Sequence, residues 1–156
     1  MFKGKVKFVC ALMLLAMSGP TMACSIVYNT SSPIIKQTMK SGFEWHSGWV
    51  LDNYQAICER LKRNNAMINI SGIQWHRNGD AITQFYIGVS DEKTGLVESS
   101  FGKQRIIYNT NLTSQKKLDV DIFDDIQKMI DEWFVSGDFD NSVKSFHKSK
   151  IAMRNQ

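Results

Sequence analysis

The chain has 156 residues, 43% hydrophobic and 22% charged, with 19 lysines and arginines against 15 acids. That length suits one domain with a single core, and the composition excludes a disordered or fibrous chain. The formal charge of +4 points toward an anionic partner, yet three of the lysines crowd into an N-terminal stretch that holds no acid.

Lys3, Lys5 and Lys7 precede an almost unbroken apolar run over residues 8–17, Ser18-Gly19-Pro20 breaks it, and Thr21 and Ala23 lead up to Cys24. This is the layout of an export signal over residues 1–23, cleaved after Ala23, with an apolar part too short to span a bilayer. Without it, 16 basic residues face 15 acids. The argument for nucleic acid as a partner goes with the signal, and the expected location is the periplasm or the exterior. Cys10 also leaves, so Cys24 and Cys58 form the expected disulfide, stabilising by about 3 kcal/mol through the loop it closes. The rival is a lipoprotein with Cys24 acylated, Cys58 free and the protein held at a membrane. Thr21 stands where such a signal has a large aliphatic residue.

Residues 24–46 read as an extended N-terminal arm, because residues 25–41 are rich in Ser, Thr and Lys and contain Pro33. A single α+β domain then occupies residues 47–152. Its first helix carries Val50, Leu51, Tyr54, Ile57, Cys58 and Leu61 on one stripe, with Ser47 as N-cap and Asn64-Asn65 as stop.

Asn78-Gly79 is the preferred two-residue hairpin loop and fixes a register. Arg77 falls opposite Asp80, Gly72 opposite Phe85, Ile70 opposite Ile87 and Ile68 opposite Val89, so one face packs on a helix and Phe85 covers the glycine. The second face carries Ile73, Trp75, Ile82 and Tyr86. Either the arm or residues 43–49 fold over these four, or they form a recognition patch.

Residues 96–101 and 104–108 read as strand, joined by a second turn or a kink at Gly102-Lys103. A second helix follows over residues 119–135, stopped by Gly137, and a shorter third begins near Asp140 or Asn141. The order α-β-β-β(-β)-α-α predicts an antiparallel sheet of three or four strands with helices on one face.

Chemistry motifs are missing. His46, His76 and His147 lie far apart, no close His or Cys pair suggests a metal site, and no phosphate loop or nucleophile elbow occurs. Asp138-Phe139-Asp140 opens like a calcium loop, but Val143 and Ser149 stand where glycine and the bidentate glutamate belong. No metal and no cofactor is expected. Eight acids lie between Asp119 and Asp140 against the single Lys128. They form either a solvated helix face or a surface, through Asp121, Asp124 and Asp125, that guides a basic partner.

The expectation is therefore a small exported binding protein without enzymatic activity. Its partner is another exported protein, which it neutralises as an inhibitor or immunity protein does. Two alternatives stay open. One is an enzyme using His46 or His76 beside Glu44, Asp80 or Glu98, and the other is a lipid-anchored component of envelope assembly.

Overall fold

The structure is a computed structural model that describes residues 24–154 except Glu92. The export signal, residues 1–23, lies outside the described residues. In chain order the elements are β1 (Tyr28–Asn29), α1 (Pro33–His46), α2 (Tyr54–Arg63), β2 (Ala66–Arg77), β3 (Asp80–Asp91), β4 (Val97–Asn109), α3 (Gln115–Val135) and α4 (Asp138–Arg154). The fold is α+β, with a four-stranded sheet in the order β1-β2-β3-β4. The sheet is mixed rather than purely antiparallel, because the short β1 runs parallel to β2.

The expected arm is the first correction. Residues 33–46 form a helix, since Ser32 accepts a hydrogen bond from the Ile35 amide and Pro33 occupies the first turn, where its missing N–H costs nothing. Ile35, Met39 and Gly42 follow at helical spacing and are buried. The segment belongs to the core rather than lying beside it. Tyr28, Phe43, Trp49 and Phe123 make an aromatic cluster with ring centroids 5.1–6.1 Å apart. Such pairs stabilise beyond the area they bury.

Ser47 is the second correction. It is no N-cap; it ends α1 in the left-handed region at φ 61°. Val50 and Leu51 consequently lie in the link between helices, and α2 begins at Tyr54. Asn53 makes no side-chain cap there. The cap comes from α3 instead, where the Asp131 carboxylate accepts from the backbone amides of Asp52 (3.0 Å) and Asn53 (3.1 Å). Cys58, on the buried side of α2, is bonded to Cys24, with Cα atoms 5.9 Å apart.

The β2–β3 hairpin has the predicted turn and register, from Arg77 opposite Asp80 to Ile68 opposite Val89. Asn78 and Gly79 both adopt positive φ, 52° and 84°. Gly72 does face Phe85, but Ile35 of α1 takes the space above it, its Cδ1 2.8 Å from where a Cβ would stand.

Gly102-Lys103 is not a turn. β4 is one strand whose pairing jumps from Lys103 opposite Ile87 to Glu98 opposite Val89, so residues 99–102 bulge out of the ladder. The Trp133 indole donates to the Phe101 carbonyl at 2.8 Å and ties the bulge to α3. Gly102 is required there, because a Cβ would lie 2.4 Å from the Ile87 carbonyl oxygen.

Ser114 caps α3, which therefore starts four residues before the predicted position, and α4 likewise begins at Asp138. Trp133, Phe85, Phe123, Phe139 and Phe146 are fully buried between the helices and one face of the sheet. At the end of β3 the two-faced pattern is lost: Gly88, Val89, Ser90 and Asp91 are all buried. The prediction of helices on one face therefore holds only along the half of the sheet nearer the hairpin turn.

Candidate functional site

On the face of the hairpin turned from the core, the register assembles rows that cross three strands. Trp75 pairs with Ile82, which pairs with Tyr108; Ile73 pairs with Gln84, which pairs with Ile106; Ser71 pairs with Tyr86, which pairs with Gln104. Period-2 alternation puts all nine side chains on the same side. Neither α1 nor residues 43–49 cover them, because Phe43 and Trp49 are committed to the aromatic cluster beneath the other face.

Five of the side chains are open to solvent: Ile73 and Trp75 at 50% of their full area, Ile82 at 37%, Ile106 at 47% and Tyr108 at 71%. Tyr86 is half-buried, its hydroxyl end resting against Gly88 and Gly102, where any Cβ would collide with it. Burial raises the Tyr86 phenol above its ordinary value, and the nearby Glu98 carboxylate adds to the rise. The four residues singled out in the hairpin are thus brought together, and β4 adds Ile106 and Tyr108.

No lysine, arginine, aspartate or glutamate occupies the three rows. Charge stands only around the rows: Arg77 and Asp80 opposite one another at the tip, Lys117 and Asp121 by Tyr108, and Glu98 near Tyr86. Lys103 and Arg105 of β4 project to the other face, where Lys103 meets Asp138 at 3.2 Å and Arg105 bridges Asp125 and Glu132. Three hollows border the patch. One, of about 480 Å³, lies by Ser32, Ile73, Gln84 and Tyr86; a second, of about 560 Å³, lies by Trp75, Ile82, Tyr108 and Asn109; a third, of about 250 Å³, lies by Tyr108, Lys117 and Asp121.

Most of the acidic residues belong to a different surface. They lie on α3 and beyond it and are engaged within the molecule, whereas Asp121 lines a small hollow together with Tyr108. Asp119 is buried and accepts from Ser41 and Gln115, Asp131 caps α2, and Asp140 pairs with Arg60. Asp125 is held by Arg105, Asp124 meets His46, and Asp121 is exposed. Ile73, Trp75, Ile82 and Tyr86 therefore form one site with Ile106 and Tyr108; Asp124 and Asp125 do not join it, and Asp121 reaches only its edge beside Tyr108.

His46 does meet a carboxylate. Its Nε2 lies 2.7 Å from Asp124 Oδ1, off the line needed for an N–H hydrogen bond, and its ring stacks on Phe123. Both residues line a groove of about 760 Å³ between α3 and the α1–α2 link. Two polar groups in that groove already serve the fold: Gln127 accepts from the Val50 amide and Asp131 from Asp52 and Asn53. His76 instead contacts Gln74 at 2.8 Å, and Glu98 bonds Ser100 and Ser149.

Comparison with protein-family models, with curated proteins and with solved structures found no significant match to this chain. No helix among the described residues is long and apolar enough to cross a membrane.

Proposed function

We propose that this chain is a small exported binding protein without enzymatic activity. It neutralises another exported protein, as an inhibitor or immunity protein does, through the outer face of its sheet. One observation carries the reading: two aromatic and three aliphatic side chains stand open on three rigid strands, with no charge among them. Water-exposed apolar groups of this extent mark contact surfaces, and Trp and Tyr are the preferred anchors. A strand scaffold holds such anchors at low entropic cost on binding. The Cys24–Cys58 disulfide supports an oxidising location after cleavage behind Ala23. A sulfur held in that bridge carries no lipid, which argues against the lipid-anchored alternative.

The test is capture of partners from an envelope extract, followed by affinity measurement with Trp75→Ala and Tyr108→Ala. Each truncation should weaken binding by about 2 kcal/mol, roughly 30-fold, with the fold unchanged. Unaltered affinity in both folded variants would overturn the reading.

A second reading is favoured by the approach of a histidine and a carboxylate, His46 and Asp124, at the wall of a groove, a pair of groups from which acid–base centres are built. It is distinguished by an activity that His46→Gln abolishes and Trp75→Ala leaves intact.

A further inference from the structure

We infer that, before it meets its partner, the chain pairs with a second copy of itself across the same outer face. The dimer is an isologous sandwich of sheet on sheet, and partner capture requires it to open. The competition rests on the binding reading above; the dimer does not.

Area is the first argument. The open parts of Ile73, Trp75, Ile82, Ile106 and Tyr108 amount to roughly 600 Å² on ordinary side-chain areas, and the polar residues between them bring the face to about 800 Å². That is one partner's share of a standard interface. The share of the five apolar and aromatic residues alone lies at the upper end of the largest apolar patch, about 300–600 Å², that a typical monomer shows.

Charge is the second. In a two-fold contact each patch meets its own copy, so any ion on it lies close to its like. A face carrying lysine or glutamate would resist such pairing. This face has only hydroxyl and amide groups between its apolar side chains, and its rim carries charges in pairs of opposite sign, Arg77 with Asp80 at the tip and Lys117 with Asp121 beside Tyr108. It is compatible with itself as a charged surface is not.

The third argument concerns geometry. Sheets pack face to face at about 10 Å with interleaved side chains, and two copies would give four layers, helix–sheet–sheet–helix. The competing route, pairing of strand edges, is obstructed along part of each flank. β1 occupies the β2 edge at Ile68 and Asn69, and Ser32 Oγ donates to the Gly72 carbonyl at 2.7 Å. The bulge over residues 99–102 interrupts β4.

Sedimentation velocity on the oxidised protein, from low to high micromolar concentration, tests the dimer. The expected result is a reversible monomer–dimer equilibrium with a dissociation constant on the order of 10 μM. Ile82→Lys, at the centre of the face, and Tyr108→Lys, at its most open point, should each weaken it about 100-fold. Trp45→Lys, on the exposed end of α1, should leave it unchanged. Native far-UV spectra and melting curves would certify all three variants. A wild-type protein that stays monomeric throughout, or a dimer that survives both face variants, overturns the inference. A dimer that persists with partner bound overturns the competition. Loss of partner affinity in Trp75→Ala, measured well below the dimerisation range, reports on the binding reading alone.

Discussion

The Phe123 ring lies directly over Gly42, so close that a Cβ on that glycine would stand 2.0 Å from the ring's Cγ. α1 and α3 cross at this point, and the absent side chain lets the aromatic cluster close. Gly42→Ala should therefore destabilise by about 2 kcal/mol, because forced displacement in a packed core outweighs the roughly 1 kcal/mol that alanine adds to helix propensity. Urea unfolding with the midpoint as readout checks it; a stabilised variant would contradict the packing.

Asp131 performs the N-terminal capping that Asn53 does not, accepting from two backbone amides of the α1–α2 link. Asp131→Ala should cost about 1–2 kcal/mol, the usual range for losing a helix cap. Asp131→Asn, which keeps one acceptor, should recover part of that in the same thermal melt.

Acid should loosen the attachment of α4. The Asp91 carboxyl is held well below its ordinary 3.8 by Lys150 and by the amides of Thr94 and Lys93, which outweigh the opposing effect of burial. For Glu98 burial acts upward, but hydrogen bonds from Ser100, Ser145 and Ser149 bring the net value down. Both folded values are depressed, so their stabilisation is complete above the ordinary carboxylate range. It is lost as pH falls below about 4 toward the folded values. Urea midpoints should fall steeply in that window, and Asp91→Asn should flatten the slope while lowering stability near neutral pH.

The Cys24–Cys58 bridge closes a loop across a sequence separation of 34. On the chain-entropy account its loss removes about 3–4 kcal/mol. Melting with and without reductant should show a drop of that size, and Cys58→Ala should remove the dependence on reductant.

Local chemistry made some of this fold legible and hid the rest. Asn78-Gly79 admits one turn type, and the hairpin register, with Trp75 opposite Ile82, follows from it. α1 was hidden because Pro33 reads as a breaker in a polar context, yet the same residue after Ser32 is a start signal, and Ile35, Met39 and Gly42 supply the stripe. The start of α2 had no local signal at all, since its cap lies 78 residues away on α3. Ile106 and Tyr108 were missed for a related reason. The bulge at residues 99–102 breaks the count along β4, so their place beside Gln84 and Ile82 cannot be reached from the sequence turn alone.

The uncharged character of the outer sheet has a kinetic consequence. No ion stands among the rows of that face to draw a visitor in, and at its rim Lys117 and Asp121 offset one another. Arrival should therefore proceed at the ordinary, unguided pace of about 10⁵–10⁶ M⁻¹s⁻¹ and stay nearly indifferent to ionic strength. Discrimination between right and wrong companions is then exercised on departure, by how long the tryptophan and tyrosine stay seated.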